Sequence, residues 1–279
     1  MSMQHILQKS IKYDSIGSAV VSLKKIKSRN YNMKNNNEGM SETRKIYFLR
    51  FIGRIAVLLV AIILYMTKPS IFDTANDMNF FKSFSPLHLL WALWMCDMFF
   101  QLIPIKSHIS IGSQKVFASL FRPIKEKVNR EILKQYIKDT TNSAYKVMLI
   151  WIVLTLVISA LYISNIIDTP MMILIATFFY VCDLFCVLIW CPFRLIMLNK
   201  CCTTCRIFNW DHLMMFLPIV ALNSFFSWSL VLFSLLVWIV WEVCVLVYPE
   251  RFWENSNMAL RCSECTDKLC TQYCQKLRK

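Results

Sequence analysis

Cysteines and a few acids inside apolar runs are the parts of this chain able to do chemistry. Seven of the 12 cysteines fall in two groups. Cys201, Cys202 and Cys205 form one, with Asp211 and His212 close behind. Cys262, Cys265, Cys270 and Cys274 form the other. Cys202-x-x-Cys205 and Cys262-x-x-Cys265 have the spacing with which a thiolate pair wraps one side of a tetrahedral ion. Together they make a four-cysteine zinc site, with Cys201, Cys270, Cys274 and His212 as substitute or additional ligands. Seven thiols and one imidazole are also enough for two ions. The second group alone reads C-x2-C-x4-C-x3-C, which departs from the ferredoxin runs, so zinc ranks ahead of an iron–sulfur cluster. Unligated or acylated thiols are the remaining reading, with Cys191, Cys201 and Cys202 in juxtamembrane positions.

A second set of reactive groups repeats in three apolar runs. W-A-L-W-M-C-D holds Cys96 and Asp97. V-C-D-L-F-C holds Cys182, Asp183 and Cys186. W-I-V-W-E-V-C holds Glu242 and Cys244. Asp97 and Glu242 each lie 7 residues before a proline, and Asp183 lies 9 before one. At 1.5 Å per residue the three acids share a depth of about 10–14 Å below one end of their helices. A carboxylate there costs at least about 2.5 kcal/mol on insertion scales. Two outcomes answer that cost. The acids converge on a cation, with the nearby thiols as soft ligands. Otherwise they are protonated, or are paired with Arg54 or a loop base, and fix helix packing.

The elements that position these groups are helices. The chain of 279 residues is 57% hydrophobic, too apolar for a soluble protein of this length, and has only 4 Gly for turns. Runs of about 18 apolar residues span a bilayer as helices. The expected fold is all-α and polytopic, with six transmembrane helices in three hairpins. Residues 1–47 form a basic, partly disordered N-terminal segment, within which Met3 to Lys27 is expected as an amphipathic surface helix. Residues 48–248 form the six-span domain. Residues 249–279 form a cysteine-rich tail. Within the domain, a basic interfacial helix is expected near 122–139. Its apolar positions Ile124, Val128, Ile132, Leu133, Tyr136 and Ile137 have helical spacing. The largely apolar stretch Leu213 to Tyr248 reads as two helices turning at Asn223-Ser224, the first short and interrupted by Pro218.

Charge sets the orientation. Of 31 Lys and Arg, 29 fall in the N-terminal part, the loop after span two, the cysteine loop and the tail. The positive-inside rule puts these four segments, and so both termini and both cysteine groups, in the cytosol of a cell-membrane protein. The net charge of +14 then reads as attraction to anionic lipid headgroups, with no nucleic-acid partner. A homo-oligomer is compatible with this composition.

No P-loop, G-x-G-x-x-G, H-E-x-x-H or G-x-S-x-G run is present, so nothing in the sequence points to an enzyme. The run C-C-T-T-C-R-I-F-N-W-D-H, preceded by I-W-C-P-F, resembles a loop in uncharacterised multi-pass membrane proteins of bacteria. That resemblance implies membrane residence and assigns no residue a role. The sequence thus leads to a membrane protein with a cysteine-rich zinc site of structural or sensory role. A cation or metal transporter using the intramembrane acids is the alternative, and a thiol or iron–sulfur redox protein a further one.

Overall fold

The computed structural model describes residues 41–76, 80–82, 84–102, 121–124, 128–197, 205–261 and 264. The surface helix expected between Met3 and Lys27 lies outside the described residues, and so does the tail from residue 265 onward. Among the described residues, six helices longer than one turn carry the fold: α1 (Glu42–Thr67), α2 (Pro86–Leu102), α3 (Arg130–Ile163), α4 (Thr169–Leu188), α5 (Asp211–Phe216) and α6 (Phe225–Val247). Short 3-10 turns connect them. Strand pairing among the described residues is limited to one isolated bridge, Pro123 to Asn257.

Four helices, α1, α3, α4 and α6, are long and apolar enough to cross a membrane. Helix α2 has 17 residues, about 26 Å, at the short limit for a span. The expected fifth span is shorter still. It is six residues of α5 followed by six of 3-10 helix, Leu217–Leu222. At 1.5 and 2.0 Å per residue this covers about 21 Å, less than a hydrocarbon core of about 30 Å. This segment is buried inside the bundle, with Phe216 and Ile219 fully enclosed. Irregular backbone at this depth is tolerated where protein surrounds it.

The sequence explains the break. Pro218 has no N–H, which leaves the carbonyl of Met214, four residues back, without its helical donor. The Trp151 indole of α3 donates to that carbonyl at 2.7 Å. Asn223 then turns the chain with φ 49°, a left-handed conformation that asparagine tolerates. Ser224 caps α6 through a reciprocal capping box with Ser227. The turn between α3 and α4 uses the same devices. Asn165 has φ 56° and Asp168 caps α4 by accepting from the Met171 N–H at 2.9 Å.

The interfacial helix expected near 122–139 is corrected. Residues 121–124 are not helical, and the helix starts at Arg130, capped by Asn129. It then continues without a break through the expected third span, for 34 residues. No Gly or Pro interrupts it. The hydroxyls of Thr140 and Thr141 bond back to the carbonyls of Tyr136 and Ile137 at 2.8 and 2.6 Å, so they do not compete with the helix. At about 51 Å this helix is longer than a bilayer core of about 30 Å, and its first turns carry exposed Lys134 and Lys138.

Packing fixes the directions of the helices. Tyr47 and Phe51 near the start of α1 pack on Leu184, Val187 and Leu188 near the end of α4. Trp91 of α2 hydrogen-bonds Ser229 of α6 at 2.8 Å, both near the starts of their helices. The starts of α1 and α3 and the ends of α2, α4 and α6 therefore lie at one end of the bundle, here the basic end. Residues 249–261 close that end against 121–124: the Met258 N–H donates to the Arg122 carbonyl at 2.8 Å and the Arg251 guanidinium lies 4.3 Å above the Phe121 ring. The opposite end is closed by aromatic rings. Phe80 stacks on His88 at 4.2 Å beside Trp91 and Phe226.

Substituting Trp151→Phe keeps the ring against Phe179 and removes the donor to Met214. Leaving that carbonyl unpaired costs about 1–3 kcal/mol. The denaturation midpoint in detergent falls accordingly, whereas Trp228→Phe, whose indole bonds Asn223 at an exposed position, changes it little. Equal midpoints for the two variants would refute the role given to Trp151.

Candidate functional site

Helix α1 meets α4 along a stripe of Tyr47, Phe51 and Ile55. Arg54 lies on this face, seven residues from Tyr47 or about two turns. The opposite face, with Leu49, Leu59 and Ile63, is exposed and apolar. The Arg54 side chain therefore enters the bundle. Its Nη1 donates to Asp183 Oδ2 at 2.6 Å and to the Tyr180 carbonyl at 2.7 Å, both on α4. Its Nη2 donates to Asp97 Oδ2 of α2 at 2.9 Å. The guanidinium also lies 3.8 Å above the Tyr180 ring. One cation thus joins three helices.

Asp211 and His212, the first residues of α5, extend this cluster. Asp211 Oδ1 accepts from Gln101 Nε2 of α2 at 3.1 Å, from the His212 N–H at 2.7 Å and from His212 Nδ1 at 2.8 Å. His212 Nε2 faces Asp97 Oδ2 at 3.5 Å and has no hydrogen-bond partner. Gln101 Oε1 is also buried without a partner. Both side chains are enclosed, at 4% and 5% exposure. A neutral imidazole that gives its Nδ1 proton to Asp211 presents a lone pair at Nε2. The Asp97 oxygen opposite is an acceptor as well. Two acceptors facing each other in a buried site form a place for a proton. The charges agree: Asp97 and Asp183 share Arg54, and Asp211 adds a third carboxylate on the other side of His212.

The expected convergence of Asp97, Asp183 and Glu242 on one ion is not what the helices build. Asp97 and Asp183 share Arg54, while Glu242 belongs to a separate cluster. Arg206 donates to both Glu242 oxygens and to Thr141 Oγ1 of α3, and the Trp210 indole donates to Glu242 at 2.8 Å. The distance to a proline sets the height of a residue along its helix but not the side it faces. Ser229 of α6 faces α2, and Glu242 follows 13 residues later. At about 100° per residue it is rotated by about 220°, away from α2 and towards α3 and the loop. Asp211 takes the place expected for Glu242.

Cys96 is exposed, and Cys182, Cys186 and Cys244 are half-buried. Among the described residues no three His, Cys, Asp or Glu side chains are grouped as a metal ion requires. Cys201, Cys202, Cys262, Cys265, Cys270 and Cys274 lie outside the described residues. Cys205 is described and packs beside Ile207 and Trp210. His212 sits among carboxylates, with both ring nitrogens facing them, which takes it out of the expected thiol set. The functional residues not singled out by sequence are Gln101, Thr141, Arg206 and Trp210. Arg206 and Trp210 carried a signal: they stand in R-I-F-N-W-D-H, where polar residues alternate with large apolar ones just before a buried run.

Comparisons with protein-family profiles, with curated proteins and with solved structures found no match to this chain.

Replacing Arg54 with Met strands two carboxylates in the bundle. The expected loss is about 3–5 kcal/mol, the usual cost of removing one partner from a buried ion pair. Adding Asp97→Asn and Asp183→Asn to the same protein recovers part of that loss, as read from denaturation midpoints in detergent. An Arg54→Met protein as stable as the parent would show that the guanidinium does not hold the helices together.

Proposed function

We propose that this protein binds and moves a small cation, in the first instance a proton, through the Asp97–His212 site of its helical bundle. The observation that carries this reading is the unpartnered Nε2 of buried His212 facing an Asp97 oxygen at 3.5 Å. Protonation forms an Nε2–H bond. The new N–H donates to Asp97, and the imidazolium is held between Asp97 and Asp211. Release of the proton restores the two opposed acceptors. Arg54 stays charged throughout and remains paired with Asp97 and Asp183. The broken segment 211–222 supports the reading, because discontinuous helices buried in a bundle are where transporters build ion sites. With the basic end towards the cytosol, protons reach the site from the cytosolic half of the membrane.

The test is proton flux in liposomes holding the purified protein and a pH-sensitive dye. An imposed pH gradient dissipates faster than in empty liposomes, and Asp97→Asn and His212→Gln each slow it at least about a hundredfold, the lower end of the range for a general acid–base group. Trp228→Phe leaves the flux unchanged. Liposomes with the parent protein that match empty ones, or equal flux from all variants, would overturn the proposal.

A second reading, a zinc clasp of structural or sensory role, has its own support. Arg206 and Trp210 dock the end of the cysteine loop on Glu242, seven residues before Pro249, where the tail begins. Cys205 and Arg261, which border the two C-x-x-C pairs, are thereby tethered to the same end of the bundle. On this reading Cys202, Cys205, Cys262 and Cys265 hold one zinc and join the loop to the tail. Purified protein then contains about one zinc per chain without visible colour, and Cys205→Ser loses it. A brown protein would indicate iron–sulfur ligation, and a metal-free protein with reactive loop thiols would discard the clasp.

A further inference from the structure

A cavity of about 410 Å³ between α3 and α6 takes part in neither reading above. Its volume is in the range of ligand pockets, about 300–1,000 Å³. Ile152 and Leu156 of α3 form one wall, and Leu235 and Trp238 of α6 form the other. Leu213, Leu217 and Val220, from the short segment 211–222, form the floor. The cavity opens sideways. Ile152 and Leu156 are exposed on its α3 rim, and Leu232 and Ile239, one turn to either side of Leu235, are exposed on its α6 rim. Helices α3 and α6 are both long and apolar enough to cross a membrane, so the mouth faces hydrocarbon. The wall is almost entirely carbon. Thr155 Oγ1 and Trp238 Nε1 belong to lining residues but are enclosed by protein atoms. A quinone ring or a sterol hydroxyl would have its polar atoms desolvated against this wall, whereas methylenes need no partner.

Charge lies on the same side of α3, towards the basic end. At about 100° per residue, Lys134, Lys138 and Tyr145 fall within about 40° of Ile152 around the helix axis. All three are exposed. Lys138 precedes Met148, the first α3 residue of the cavity, by about 15 Å along the axis. A lysine stem lying along the helix shortens that separation. We propose that an anionic phospholipid binds here, with one acyl chain in the cavity and its phosphate drawn to Lys138 and Lys134. The chain rests on Leu213, the residue after His212, and on Leu217 and Val220. It thereby braces the segment that begins with Asp211 and His212, whether or not that pair moves protons.

The experiment uses the full chain in detergent with phosphatidylglycerol that carries a photoactivatable diazirine in one acyl chain. After illumination and digestion, label concentrates saturably on 148–159, 213–220 and 235–238. The exposed face of α1, at Leu59 and Ile63, takes up little. Leu235→Trp fills the cavity and lowers the label on 213–220 to the level of α1. Leu217→Phe provides the same comparison should the tryptophan variant misfold; size-exclusion elution distinguishes these cases. Lys134→Gln together with Lys138→Gln weakens competition by unlabelled phosphatidylglycerol at least about fivefold, the share of one lysine at an anionic surface. Competition by phosphatidylcholine stays weak in both proteins. Label spread equally over α1 and the cavity would overturn the proposal. So would undiminished label on 213–220 in the folded cavity variants, or equal competition by the two lipids. None of these outcomes depends on proton flux or bound zinc.

Discussion

The guanidinium of Arg54 sets the terms for the rest of the bundle. It stands within an apolar helix, where an isolated charge in hydrocarbon costs at least about 2.5 kcal/mol. Helix α1 has little else to hold it, since only 17% of its membrane-length window is buried against the protein, compared with 50% for α4. The cost of the charge is met only if carboxylates from other helices reach the same point. Asp183 and Asp97 do so, and in doing so they fix the azimuth of α4 and α2 around α1. Ion pairs of this kind add little net stability compared with an apolar core, but they forbid other registers. A rotation of any of the three helices would leave an unpaired charge inside the bundle.

The same logic extends through the run R-I-F-N-W-D-H. Arg206 and Trp210 turn to Glu242 on α6, while Asp211 and His212 turn to Gln101 and Asp97 on α2. The run is a connector between two charged clusters, and it seats the short segment that follows. Its position also explains why α5 is short. Once Asp211 and His212 are fixed at the depth of Asp97, only a partial crossing remains before the opposite end. Pro218 and the 3-10 stretch cover that distance with few residues, and Trp151 satisfies the carbonyl that this frees.

Much of this was legible in the sequence, and the failures share one cause. Apolar run lengths located α1, α3, α4 and α6. Asn223-Ser224 and Pro218 marked the interrupted pair. Arg54 was visible as a partner for the acids. Azimuth was not visible. Asp97, Asp183 and Glu242 have the same height, but Glu242 faces α3 and the loop. The join between the expected interfacial helix and α3 was missed for a different reason. Asp139 to Lys146 is polar and reads as a boundary, yet it contains no helix breaker, and its threonines bond within the helix. Polarity marks where a helix leaves the apolar layer; it does not mark where the helix ends.

Asp211 changes what the acid cluster is able to do. With Asp97 and Asp183 alone, Arg54 leaves one negative charge, and the cluster is a packing device. With Asp211 the excess is two, and the group nearest to this excess is a histidine, whose protonated form the surrounding carboxylates favour. The carboxylate that turns structure into chemistry is therefore supplied by the loop motif and not by a transmembrane helix. That loop follows the end of α4 at Leu188 in sequence and leads to Arg206 and Trp210. Any restraint on its course acts on Asp211 and His212 directly, because fewer than ten residues separate Cys205 from the site. Cys205 and the Asp211–His212 pair, read from the sequence as parts of separate chemistries, lie on one short connector.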